Sequence, residues 1–192
     1  MVSKMRWQEI EGWFSQYDVD FVVAVCEGIH EGIVVELGCY AGKSTAAMAP
    51  VCKKNVNNYC VIDNFWGTDP KDPATRNQRK RNMREVFENN MRAMNILDYL
   101  EIHKLDSAAS SQLFVDGEVD FCFIDASHAK EDVRRDVDAW WPKIKVGGTL
   151  GGHDYQWQEV REVVNAFVKT NQLKLVLGKD KQCWKVVKKE QK

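Results

Sequence analysis

The chain has 192 residues, of which 44% are hydrophobic and 29% charged, with a net charge of −1. That is enough apolar material for one globular domain with a sizeable core. The near-neutral balance gives no general case for nucleic-acid binding. No apolar run is long enough to span a bilayer, and the charged N-terminus is unlike a secretory leader. Six cysteines occur without a CxxC pair, so cysteine-bound zinc is not expected, and reduced thiols in a cytoplasmic protein are.

In chain order, residues 6–29 are rich in Trp, Phe and Val and read as one or two N-terminal helices. Trp7, Trp13 and Phe14 read either as a cover over a site or as a homodimer surface. Residues 33–37 form a short apolar strand pattern, followed by Gly38-Cys39-Tyr40-Ala41-Gly42-Lys43-Ser44 and a helix over 44–53. Such a strand–glycine loop–helix lets the backbone turn sharply and lets a ligand approach it, with free N–H groups at the helix start. Glu36 at the strand end argues against a phosphate there and suits a ligand carrying cationic groups as well as a carboxylate.

Residues 58–62 read as a second strand ending at Asp63. The polar stretch 65–82 has no apolar period and is long enough for a lid. Its Arg76, Arg79, Lys80, Arg81 and the nearby Arg84 would suit an anionic acceptor, but Asp69, Asp72, Glu85 and Glu88 favour a solvated, self-neutralised face. A helix over 83–94 and a strand over 100–104 follow. Asp106-Ser107 then make a plausible cap for another helix. Residues 119–124 are a continuous apolar run, hence a buried strand ending at Asp125. A helix over 130–141 stops at Pro142. Gly147-Gly148 read as a turn into a short strand ending near His153-Asp154. A helix over 157–171 leads to a terminal hairpin of 173–177 and 182–187. Alternating strands and helices imply right-handed crossovers and a mainly parallel sheet, with one antiparallel strand in the terminal hairpin. Ligands in such sheets sit at the carboxyl ends of the strands. Glu36, Asp63 and Asp125, all placed there, therefore mark a candidate site.

Residues 36–44 resemble the loop of catechol O-methyltransferase-like enzymes, Tyr40 and Ser44 included. Phe123-Ile124-Asp125-Ala126-Ser127-His128, with Gly147-Gly148 and His153-Asp154-Tyr155, is similar to the type-24 methyltransferase family and to macrocin O-methyltransferases. The resemblance covers roughly residues 30–188. It implies a class I, Rossmann-like α/β domain: a seven-stranded, mainly parallel sheet with an antiparallel terminal strand and helices on both faces. The cofactor it implies is S-adenosyl-L-methionine. Gly38, Tyr40 and Ser44 would hold its methionine end, Asp63 its two ribose hydroxyls, Asp106 or Ser107 would lie beside its adenine, and Asp125 near its methionine portion and the reacting methyl group, with Glu36, Gly42 and Asn64 also among the cofactor-binding residues. It also implies a divalent metal, Mg or Mn, on Asp125, His153 and Asp154. The imidazole departs from the all-oxygen set that magnesium prefers and suits a softer ion.

His128, three residues after Asp125, stands where those relatives carry a catalytic Lys. An imidazole of ordinary pKa ~6.5 suits removal of a hydroxyl proton near neutrality. The alternative is a helix-capping role. His30 and His103 lie outside the rim. The expected activity is O-methylation of a hydroxyl on a small polar metabolite or sugar. A nicotinamide oxidoreductase would share the strand–loop–helix, but Gly38 to Gly42 lacks the Gly-x-Gly-x-x-Gly fingerprint. A non-catalytic binding protein on the same fold is the third reading.

Overall fold

The computed structural model describes residues 5–67 and 80–190. The proposed lid of 65–82, with Arg76 and Arg79, falls largely on positions outside the described residues. Seven strands, β1 (Ile33–Leu37), β2 (Asn58–Ile62), β3 (Leu100–His103), β4 (Val119–Ile124), β5 (Ile144–Gly152), β6 (Val176–Leu177) and β7 (Trp184–Val187), form one sheet. Their order is β3-β2-β1-β4-β5-β7-β6. The strands from β1 to β5 pair in parallel, and β7 runs antiparallel to both its neighbours. Among the described residues five α-helices accompany them: α1 (Gln16–Glu27), α2 (Lys43–Lys54), α3 (Met83–Ala93), α4 (Lys130–Trp140) and α5 (Gln158–Thr170).

Side chains alternate along each strand, so the sheet has two apolar faces, and each is covered. Val34, Val61, Phe121 and Phe123 pack on one side with Val22, Met48, Phe87 and Met91 from α1, α2 and α3. Val35, Leu37, Ile62, Cys122 and Ile124 pack on the other with Val133, Val137, Val164 and Phe167 from α4 and α5. Trp140 is fully buried there, and its Nε1 donates to Ser107 O at 2.8 Å. All six cysteines are buried and free. Among the described residues no helix is long and apolar enough to cross a membrane.

The parallel register decides what reaches the rim. Leu37 lies level with Ile62 and Ile124, and Ile124 with Gly152. The next residues, Gly38, Asp63, Asp125 and His153, therefore stand side by side. Backbone bonds continue the ladder there: Gly38 N to Ile62 O at 2.8 Å, Asp125 N to Leu37 O at 2.8 Å and His153 N to Ile124 O at 3.0 Å. The strand order reverses between β1 and β4, the place where such sheets open a crevice.

Two sequence-based expectations about these elements are corrected. Gly147-Gly148 do not turn the chain into a strand. They lie inside β5, at a register shift between Val119–Ile144 and Phe121–Thr149, with Gly147 at φ +84°. Asp106-Ser107 precede a 3₁₀ turn, Ala109–Leu113, rather than an α-helix, and Asp106 Oδ1 accepts from Ala109 N at 3.0 Å. Within the expectation of one or two helices, the N-terminal segment forms a 3₁₀ turn, Trp7–Glu9, and then α1. This helix starts at Ser15, whose hydroxyl and Asp18 make reciprocal bonds to each other's backbone N–H.

Candidate active site

A cavity of about 1020 Å³ opens along this rim, walled by the ends of β1, β2 and β4 and by residues 11–14 ahead of α1. At Gly38 (φ +82°) a Cβ would stand 2.2 Å from Asp125 O, so only glycine lets β1 and β4 end this close together. Asp63 organises the loop beyond. Its Oδ2 accepts from Cys39 N at 2.8 Å and Tyr40 N at 3.1 Å, and its Oδ1 from Phe65 N at 2.6 Å. Two donors fill Oδ2, and Oδ1 keeps one lone pair for a further donor. Asn64, which also lines the cavity, accepts from Trp66 N at 2.6 Å.

Tyr40 and Ser44 line the same end. The Tyr40 hydroxyl donates to Glu11, and burial with that bond pushes its pKa up to about 12. Glu11 in turn holds Arg81 at 2.7 Å, and Lys43 Nζ donates to Gly12 O at 3.1 Å. Trp13 rests on the Tyr40 ring at 5.5 Å. The N-terminal segment is thus fastened across the glycine loop. At the opposite end Asp106 pairs with Arg135 at 3.0 Å, and Ser107 Oγ donates to Asp136 at 2.5 Å.

Glu36 and Gly42 do not line the cavity. Glu36 is the penultimate residue of β1, so alternation turns it into the core rather than onto the rim. It is fully buried and accepts from Ser44 Oγ, from Thr45 Oγ1 at 2.6 Å and from the Tyr59 hydroxyl at 2.8 Å. Burial raises its pKa to about 7 against the pull of those three hydroxyls. Gly42 (φ +91°) faces α3, where a Cβ would meet Met91 Cε at 2.5 Å.

Beyond β4 and β5 the titratable groups converge. His128 Nε2 lies 2.8 Å from Asp154 Oδ2, and its ring stacks on Trp157 at 4.8 Å. Burial alone would lower the His128 pKa, but the Asp154 and Asp125 carboxylates outweigh it and raise it. Asp154 sits at φ +58°, in the left-handed region, a strained backbone of the kind found at functional sites. Burial would raise its pKa, yet hydrogen bonds from His128 and His153 hold it well below the usual carboxylate range. His153 is 5% exposed. Its Nδ1 is 3.3 Å from Asp154 Oδ1 and 3.8 Å from Asp125 Oδ1, and its Nε2 is 3.4 Å from Asp18 Oδ1. These carboxylates, Asp125 foremost, overcome burial and push the His153 pKa up to about 11. Burial carries Asp125 up to about 6, against the pull of His153. One ligand atom each from Asp125, His153 and Asp154 lie within 4.8 Å of one another.

The rim therefore unites Gly38, Tyr40, Ser44, Asp63, Asn64, Asp106, Ser107, Asp125, His128, His153 and Asp154 around one space. His103, off the rim, pairs with Glu101 at 2.7 Å. Sequence reasoning missed Glu11, Asp18, Trp157 and Gln182, all of which line the cavity or touch a residue that does.

Residues 35–155 match the family model Methyltransf_24, described as a methyltransferase domain. Among solved structures, the O-methyltransferase NovP is 14% identical with a TM-score of 0.72, over 91% of this chain and 80% of that one. An S-adenosylmethionine-dependent O-methyltransferase from Thermotoga maritima is 13% identical with a TM-score of 0.68, over 95% and 68%. The apo TDP-rhamnose 3′-O-methyltransferase CalS11 is 11% identical with a TM-score of 0.58, over 91% and 81%. The strand order and the rim agree with the family match, and the chain belongs to the Methyltransf_24 family of S-adenosylmethionine-dependent methyltransferases.

Proposed function

We propose that this chain transfers a methyl group to a hydroxyl oxygen of a small, uncharged polar molecule of the sugar or polyol kind. The observation that carries this reading is that one cavity joins a glycine loop organised by Asp63 to the His128–Asp154 pair. The residues present fit S-adenosylmethionine. The Gly38 strand end can accept no side chain, and the N–H groups that open α2 offer donors for a carboxylate, the Ser44 hydroxyl being committed to Glu36. Asp63 offers the remaining lone pair of its Oδ1 to a ribose hydroxyl. Asp106 and Ser107 stand at the far end for the adenine. When bound, the sulfonium supplies an electrophilic methyl group.

The chain's own residues then align the acceptor and take its proton. Asp154 holds His128 through Nε2, leaving Nδ1 as the nitrogen that can accept a proton. As the oxygen gains the methyl group, its O–H bond breaks toward neutral His128, and Asp154 stabilises the imidazolium formed. Asp125, His153 and Asp154 fit a divalent cation by donor chemistry, two carboxylates and an imidazole, with manganese better matched than calcium. Such an ion would orient the acceptor oxygen and favour its deprotonated form.

The acceptor end is lined by Glu11, Glu159, Asp154, Gln182 and the aromatic faces of Trp13 and Trp157. The described bases that line the cavity as a whole are otherwise engaged: Lys43 on Gly12 and Arg135 on Asp106. That lining disfavours a phosphorylated acceptor and suits a ring with hydroxyls on its edge and C–H groups on its face. The neighbour CalS11 is named for a sugar hydroxyl too, but on TDP-rhamnose, which carries a diphosphate, so the uncharged class rests on this chain's own lining. Methyl transfer from labelled S-adenosylmethionine to neutral glycosides, set against their phosphorylated counterparts, tests the reading. Turnover with the phosphorylated set alone would refute the acceptor class. Binding of NAD in preference to S-adenosylhomocysteine would refute the whole assignment.

A further inference from the structure

We infer that Asp18, on α1, is a positioning residue that presents His153 Nδ1 to a divalent cation at Asp125 and Asp154. The inference rests on the metal reading of that cluster.

Asp18 is 2% exposed, an unusual place for a carboxylate whose helix-capping duty could be met at the surface. Capping occupies only one of its oxygens: Oδ2 accepts from Ser15 N at 2.7 Å. The other, Oδ1, is turned inward. It faces His153 Nε2 at 3.4 Å and accepts from Cys183 Sγ at 3.4 Å. His153 is equally enclosed, its ring packed 5.4 Å from that of Phe14. Its Nε2 is a buried atom with no well-formed hydrogen bond, and Asp18 is its ion-pair partner on that side.

The other ring nitrogen has a different environment. Nδ1 looks toward two carboxylates, Asp154 at 3.3 Å and Asp125 at 3.8 Å. A neutral imidazole has one N–H and one lone pair. With Asp18 beside Nε2 the hydrogen belongs there, and the lone pair falls on Nδ1. In the ion-free protein a proton on Nδ1 faces those two carboxylates; a divalent cation would take that proton's place, and the hydrogen left on Nε2 is the one Asp18 faces. Histidines that bind metal commonly give their second N–H to a carboxylate, which fixes ring orientation and tautomer. Asp18 occupies that role from a helix that contributes no ligand itself. The Cys183 thiol, by donating to Asp18 Oδ1, steadies the same oxygen rather than competing for an ion.

The test is binding of Mn²⁺ alone, followed by electron paramagnetic resonance of the free ion, with S-adenosylhomocysteine affinity measured in parallel. Asp18→Asn is expected to weaken manganese binding about 10–100-fold and to leave S-adenosylhomocysteine affinity unchanged. Ser15→Ala removes the hydroxyl that caps α1 but keeps Asp18 Oδ1 on His153. It is expected to lower the melting temperature and to keep wild-type manganese affinity. Equal manganese affinity in Asp18→Asn and wild type would overturn the inference while sparing the metal reading. So would an equal loss in Ser15→Ala, which would make Asp18 a residue of the helix alone. Failure of the wild type to bind manganese removes the metal reading and the inference with it. A check that needs no variant is the ¹⁵N spectrum of His153 in the wild type with diamagnetic Zn²⁺. Nε2 should remain protonated and Nδ1 should be metal-bound, and the reverse assignment would refute the proposal.

Discussion

Replacing Glu36 by Gln should change how stability depends on pH. Glu36 is fully buried, and its pKa in the folded protein is raised from 4.5 to about 7. Below pH 4.5 the carboxyl is protonated in both folded and unfolded chains. Between 4.5 and about 7 the unfolded chain releases that proton and the folded one keeps it, so the contribution is lost progressively as pH rises. Above 7 the loss is complete, at roughly 3 kcal/mol. Gln cannot ionise, so the difference in stability between wild type and Glu36→Gln should move by that amount in favour of the variant from pH 4 to pH 8. For a domain of this size that is a relative shift of roughly 6–12 °C in melting temperature. Differential scanning calorimetry of both proteins across that range measures it, and the other carboxylates cancel in the difference. A difference that stays flat with pH would refute the reasoning. A difference that favours wild type as pH rises would mean that the bonds from Ser44, Thr45 and Tyr59 outweigh burial.

Asp63→Ala should weaken S-adenosylhomocysteine binding by about 1.5–3 kcal/mol, because it releases Cys39 N and Tyr40 N and removes an acceptor from the rim; calorimetric titration that finds no loss rejects the role. His128→Gln should leave that affinity unchanged and lower turnover by ~10²–10⁴-fold. A loss of cofactor affinity instead would make His128 a binding residue. Chelation should reduce turnover, with manganese restoring it better than calcium. Full activity in protein shown by elemental analysis to be metal-free counts decisively against the metal.

The sheet was legible because buried parallel strands are continuous apolar runs, and each run here ends beside a polar residue. β1, β2 and β4 match their expected limits for that reason. Glu36 was misplaced because a run such as Ile33–Leu37 does not say which of its last residues points to the rim. Only register does, and register is a property of the neighbouring strands. The pair Gly147-Gly148 misled in a related way, since a turn and a bulge both require residues without side chains. The Asp125, His128, His153 and Asp154 group was visible because its members follow two strands that are neighbours in the sheet. Asp18 was not, since an acid three residues after Ser15 reads as an ordinary helix cap. Its contact with His153 arises only when α1 packs against the far end of β5.

The fastening of residues 11–14 across the glycine loop has a consequence for how this enzyme could diversify. Glu11 and Trp13 lie ahead of residues 35–155, the stretch matched by the family model, yet they form one wall of the acceptor space. Among the described contacts, Glu11, Gly12 and Trp13 are tied to the rest of the site through the Tyr40 hydroxyl and ring, Arg81 and Lys43. Exchange of Glu11 and Trp13 alone would therefore redraw this wall of the cavity while Phe14 keeps its packing on Phe123 and His153 at the strand ends.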